Sequence, residues 1–183
     1  MTTYRYLCLF TVLLILMQFP AINEWAYWQR ESIELGQWWR ILTGNFTHTN
    51  LWHLGMNVIA FWLISHIFRE YISPYHYTIL IQLISAIIGL SLFITDIELY
   101  AGFSGTLHGL FAWGAIKEIQ HKYAGGWLML VGICLKVGME FYTGGSAATA
   151  NLINARVAIE AHAMGMISGI ILSLITKVHT RNV

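Results

Sequence analysis

The stretch AGFSGTLHG, Ala101 to Gly109, holds one serine at the head of an apolar run, with Gly102 and Gly105 around it and a histidine four residues on. On a helix Ser104 and His108 share a face. Serine becomes a nucleophile when a base takes its proton, and a helix N-terminus adds unpaired N–H groups and a positive dipole end that favour a developing oxyanion. The alternative role for Ser104 is simply to N-cap the helix. A second histidine, His162 in EAHAMGMISG, also lies within an apolar run, where an ionisable side chain is costly and marks function. A third segment, FTHTNLWHLGMN, carries His48, His53 and Asn57. His53 and Asn57 are again spaced i, i+4, and imidazole and amide groups can both donate to an oxyanion.

The nearest histidine to Ser104 is not the best base. His108 would sit on the same rigid helix, with Cβ atoms about 5–6 Å apart and little freedom to carry a proton from nucleophile to leaving group. A base on a facing helix can approach the hydroxyl from the side, so His162 is expected as the base and His108 as its support, stacking on it or bonding to it. Small residues permit that approach: Gly105 and Gly109 on one helix, Ala161, Gly165 and Gly169 on the other. Lys136 and Glu140 form a further i, i+4 pair, expected to neutralise each other inside an apolar stretch. Glu160 is assigned to Arg156 in the same way, which leaves His162 without an acid and predicts a Ser-His dyad.

Those side chains must be positioned by membrane helices. Of the 183 residues, 57% are apolar and 10% charged, far from the soluble average. At roughly 20 residues per crossing, six spans are expected: Leu7–Ile22, Leu51–Phe68, Tyr77–Thr95, Phe103–Ile119, Trp127–Tyr142 and Val157–Val178. They leave room for one membrane domain over residues 1–183 and nothing else. Arg5 before the first apolar run resembles a signal peptide, but removing that helix would unbalance the loop charges, and a retained span is expected. Arg5, Arg69, Lys117, Lys122, Lys177 and Arg181 fall on one side and Arg30, Arg40 and Arg156 on the other. The positive-inside rule therefore puts both termini in the cytoplasm and the first, third and fifth loops outside. Trp25, Trp28, Trp38 and Trp39 suit a first loop lying at headgroup level. Cys8 and Cys134 read as small buried apolar side chains within spans.

From Ser104 to the charged pair Lys117 and Glu118 the apolar run is too short for a full crossing. The helix is therefore expected to start below the membrane surface, with Glu98–Gly102 dipping inward to a wet pocket, since bare backbone is tolerated at that depth only where protein or water covers it. Asp96 is the only aspartate, which excludes an aspartyl dyad. There is no HExxH motif, and Thr106 replaces the last glycine of an α/β-hydrolase elbow. A net charge of +1 offers nothing to nucleic acid. Haem or metal ligation by His53, His66, His108 and His162 is the weaker reading, because His66 falls near the opposite end of its span.

Four motifs in order resemble the rhomboid intramembrane serine proteases: Trp39-Arg40, His53-Leu-Gly-Met-Asn57, Gly102-Phe-Ser104-Gly105, and Ala161-His162 with Gly165. The resemblance implies a six-helix all-α membrane bundle with an interfacial first loop, Ser104 as nucleophile, His162 as base and His53 and Asn57 as oxyanion donors. Trp39 and Arg40 become first-loop scaffold, and Gly102 and Gly105 supports of the serine. No metal or cofactor is implied, and the partners are the lipid bilayer and proteins with transmembrane anchors, reached from the outer face of a bacterial inner membrane. Where this chain has His108, many rhomboids carry a tyrosine stacked on the catalytic imidazole. The bare core and SGTLHG look most like the rhombosortase branch, which is associated with substrates bearing a C-terminal Gly-Gly, apolar and basic anchor. The alternatives are a general rhomboid protease without that preference and a non-catalytic binder of transmembrane segments.

Overall fold

The computed structural model describes residues 3–175. The end of the expected last span, with Lys177 and Arg181, lies outside them. The chain is helical almost throughout: α1 Thr3–Leu16, α2 Pro20–Ala26, α3 Arg30–Glu34, α4 Arg40–Thr43, α5 Leu51–Ile67, α6 Pro74–Ser91, α7 Ser104–Gln120, α8 Gly125–Thr143, α9 Ala147–Ile153 and α10 Ile159–Ile175. Two residue pairs form an antiparallel ladder, with Trp28 opposite Tyr100 and Gln29 opposite Leu99.

Two of the described helices are long and apolar enough to cross a bilayer: α6 with its extension to Ile94, and α8. The bent pair α1 and α2 would count as a third. Helices α5 and α10 are apolar but shorter. The first span departs from expectation. It ends at Leu16, and α2 sets off at 91°, because Pro20 cannot donate a hydrogen bond to a preceding turn and instead occupies the start of a new helix.

Helix α7 occupies the centre and packs along α10 at very short range. A Cβ built on Gly165 would stand 1.9 Å from the Gly105 carbonyl oxygen, and one on Gly169 would stand 2.0 Å from that of Gly109. Only glycine lets these backbones touch. Phe103, the residue before α7, is fully buried among Phe10, Phe46 and Phe61 with ring centroids 5.5, 5.9 and 5.7 Å away. That cluster fixes the point from which the helix starts.

The first loop is bound to the bundle rather than laid loosely against it. Trp28 is completely buried, unlike the interfacial ring expected from its neighbours, because its indole N–H donates to the Gly89 carbonyl at 2.9 Å. Trp25 and Trp38 stay exposed, and Trp39 stacks on Trp25 at 4.9 Å. Arg40 is buried, its guanidinium donating to the carbonyls of Glu24 and Tyr27 and to Gln37 Oε1. Cys8 and Cys134 face outward and are free, against the buried placement expected of them. Both stand on outer helix faces, where a small apolar side chain is equally at home.

Candidate active site

Ser104 opens α7, yet it does not cap it. Phe103 holds the N-cap position without a side-chain bond, and the Ser104 hydroxyl instead meets His162 Nε2 at 2.9 Å. The alternative capping role is therefore not the one observed. By position, the first-turn N–H groups of α7 have no acceptor within the helix. The approach to Ser104 is shaped by Gly102, whose φ of +147° lies where a side chain is strained. A Cβ there would also stand 2.9 Å from His53 Cε1 and 3.0 Å from Nε2. The segment is pinned by Tyr100, whose buried hydroxyl donates to the Gly102 carbonyl at 2.7 Å, and by the Gly102 N–H to Gly44 O. Burial raises the Tyr100 hydroxyl pKa, which keeps it a donor.

Behind this segment stands Arg30, which by sequence reads only as a loop cation on the outer side. Its guanidinium donates to the carbonyls of Leu92, Phe93, Thr95 and Ile97 and pairs with Glu98 at 3.2 Å. It thus closes the C-terminal end of α6 and holds the chain that leads into the strand Leu99–Tyr100 and on to Ser104.

His162 is 6% exposed and is held from three sides. Its Nε2 faces Ser104. Its ring stacks on that of His108, with centroids 4.0 Å apart and planes 14° from parallel. Its Nδ1 lies 2.9 Å from Glu140 Oε2, on α8. The last contact departs from the sequence reading, which left the base without a carboxylate. The cause is tertiary: Glu140 uses only Oε1 on Lys136, at 2.6 Å, and its second oxygen reaches across to α10. Glu160 does pair with Arg156 as read. His108 does not touch the Ser104 hydroxyl; its Nδ1 meets the Ser104 backbone oxygen at 2.7 Å and its Nε2 meets Lys136 Nζ at 2.8 Å.

His53 and Asn57 lie on α5, buried and facing the same space. Asn57 Nδ2 donates one proton to the His53 carbonyl at 3.1 Å, and its amide carries a second. His53 Nδ1 has two neighbours on Thr49: the hydroxyl at 3.1 Å and the amide N–H at 3.5 Å. The hydroxyl donates to Ile153 O at 2.6 Å and is thus an acceptor toward Nδ1. Thr49 therefore satisfies Nδ1 in either tautomer, the hydroxyl accepting when Nδ1 carries the proton and the amide donating when Nε2 carries it, and Nε2 lies toward Gly102.

These groups line one cavity of about 1050 Å³, with Ser104, His108, His162, His53, Asn57, Lys136 and Glu140 in its wall among apolar side chains. His108, Glu140 and His162 could jointly reach a metal ion, their ligand atoms lying within 4.8 Å of one another. Each of those residues is already hydrogen-bonded, with the Lys136 ammonium on His108 Nε2, so the donor set reads as a proton network. His66 is remote from it, beside the Tyr4 hydroxyl at 3.2 Å.

The Rhomboid domain model matches residues 35–178. The chain belongs to that family, whose members are in general serine intramembrane proteases acting on transmembrane substrates within the bilayer. A search of curated proteins gives no match.

Proposed function

We propose that this rhomboid is an active intramembrane serine protease with Ser104 as nucleophile and His162 as general base. The observation that carries the reading is the 2.9 Å contact between Ser104 Oγ and His162 Nε2 inside a shared cavity. A substrate segment unwinds at the cavity and presents a peptide carbonyl. Ser104 Oγ attacks the carbon as its proton passes to His162 Nε2. The oxyanion is met by the Ser104 N–H, by the second Asn57 amide proton and by His53 Nε2–H. Collapse breaks the C–N bond, and His162 returns its proton to the departing amine. Water then repeats the sequence on the acyl-enzyme and frees Ser104.

The protein sits in a bacterial inner membrane as a six-span domain, both termini cytoplasmic and the cavity toward the periplasm. Its substrates are secreted proteins with a C-terminal Gly-Gly, apolar and basic anchor. The rhombosortase resemblance supports that preference, and so does the cost of unwinding, which glycine lowers by about 1 kcal/mol relative to alanine. The test is labelling with a fluorophosphonate probe in detergent, followed by co-expression with an anchored substrate. Labelling is expected at Ser104 and absent from Ser104→Ala; undiminished labelling of that variant refutes the nucleophile. Release of the Gly-Gly substrate, with Gly→Leu substrates retained, is expected. Equal release of both leaves a general rhomboid protease.

A further inference from the structure

We propose that Glu140 is a positioning residue for the base, so that the relay runs Ser104, His162, Glu140 rather than ending at the histidine. This rests on the reading of Ser104 and His162 as nucleophile and base. It is carried by the hydrogen-bond geometry, which admits one consistent placement of protons.

A carboxylate only accepts, so the 2.9 Å contact to Glu140 Oε2 makes His162 Nδ1 the protonated nitrogen. Nε2 then bears the lone pair, and the Ser104 hydroxyl donates into it at 2.9 Å. On the other side, the Ser104 carbonyl also only accepts, so His108 Nδ1 donates to it at 2.7 Å. His108 Nε2 is left as an acceptor for the Lys136 ammonium at 2.8 Å. Lys136 sends a second proton to Glu140 Oε1 at 2.6 Å. The circuit closes on itself through three helices, α7, α8 and α10, with no donor facing a donor.

An i, i+4 ion pair on a helix surface explains only half of this arrangement. Such a pair uses one carboxylate oxygen and needs no partner on another helix. Here the second oxygen is directed to a different helix and to the one nitrogen whose protonation decides whether the base is bare on the serine side. When Ser104 gives up its proton, the imidazolium that forms lies against a carboxylate, which stabilises it, and a stack of neutral His108 holds its plane. Glu140 is itself mostly shielded, with 15% side-chain exposure, whereas Lys136 reaches outward at 51%. The carboxylate is thus the inner member of the pair and the ammonium its solvent-side partner. In a soluble serine protease, replacing the orienting aspartate with its amide lowers kcat about 10⁴-fold. Sharing with Lys136 reduces the charge felt by His162, and a loss of roughly 30- to 1000-fold is expected here.

The experiment measures fluorophosphonate inactivation of the full chain in detergent, separating the limiting rate from probe affinity, for wild type, Glu140→Gln, Glu140→Ala and the control Glu160→Gln. The two Glu140 variants should lose 30- to 1000-fold in limiting rate with probe affinity within about twofold, and Glu160→Gln should match wild type. Added formate should restore at least tenfold to Glu140→Ala, since the emptied position borders the cavity, and should leave Glu140→Gln unchanged. Wild-type rates in both Glu140 variants overturn the inference, as does a loss that formate does not restore or that appears in probe affinity. Ser104→Ala separates this outcome from failure of the underlying reading: a wild type that is not labelled at Ser104 removes nucleophile and relay together.

Discussion

Gly165→Ala puts a methyl group where the backbone of α7 already stands. Its Cβ would lie 1.9 Å from the Gly105 oxygen, whereas close carbon-to-carbonyl contacts in proteins run about 3.3–3.6 Å. Helices α7 and α10 must separate by roughly 1.4 Å to admit it. Gly105 is adjacent to Ser104, and Gly165 is three residues beyond His162, so that opening falls directly on the 2.9 Å bond between nucleophile and base. A displacement of about 1 Å in a catalytic pair costs on the order of 100-fold in rate, equivalent to about 2.7 kcal/mol. Overpacking adds about 1–3 kcal/mol of destabilisation. Gly169→Ala meets a similar obstacle, 2.0 Å from Gly109 O, but about one turn farther from His162. It should destabilise the fold as much while lowering the rate less. Gly105→Ala, at 2.8 Å from Ala161 O, should be milder than Gly165→Ala, and Gly138→Ala, with nothing within 4 Å, should be neutral or slightly stabilising. Fluorophosphonate labelling rates with thermal midpoints in detergent test the series. Wild-type labelling by Gly165→Ala, or equal rate losses at Gly165 and Gly169, would refute the argument that helix proximity sets the catalytic distance.

Asn57→Ala should lower turnover by about 10²–10³ with little change in substrate affinity if its free amide proton serves the oxyanion; an unchanged turnover number removes it from that role. His162→Ala should be inactive, His108→Ala impaired and His108→Tyr measurably active, because a tyrosine ring can keep the stack at 4.0 Å; a cleavage assay in which His162→Ala works and His108→Tyr does not makes His108 the base. His48, fully buried in the loop before α5, is pushed down to about 3, first by burial and then by the charge of His53. It folds neutral and gains a proton on unfolding below about pH 6.5, so its contribution falls as pH drops, by about 2 kcal/mol at pH 5. The wild-type thermal midpoint should therefore fall more steeply than that of His48→Phe between pH 7 and 5, and parallel curves would contradict it.

The positions of α5, α7 and α8 were legible because hydrophobic runs of helical length, ended by charges or glycine, leave few other conformations in a membrane. The glycine contacts between α7 and α10 were legible for a related reason: residues without side chains at four-residue spacing on two helices have little else to do. What could not be read was tertiary. Trp28 shares its composition with three exposed or half-exposed neighbours, and only the placement of Gly89 opposite it decides that its indole is buried. Arg30 looked like a loop cation, yet it satisfies carbonyls more than 60 residues away. Pro20 was visible, but a proline near the end of an apolar run does not by itself say that the helix turns through a right angle there.

Glu140 was hidden by a correct inference. Its neighbour Lys136 does neutralise it, and once a charge has a partner four residues away nothing in a linear reading asks for another. A carboxylate has two oxygens, however, and an imidazole that serves as a base at one nitrogen needs an acceptor at the other. Between Gly125 and Thr143 the chain carries only these two charges, and a charge on a membrane helix turns toward the protein rather than the lipid. Of the described helix α8, Ile133 and Val137 are buried while Leu128, Leu135 and Met139 face out, so the inward strip that contains Ile133 also contains Lys136 and Glu140. His162 required an acceptor, and one acid on a neighbouring helix was obliged to point inward. Taken together, those two demands single out Glu140, and the 2.9 Å contact is where they meet.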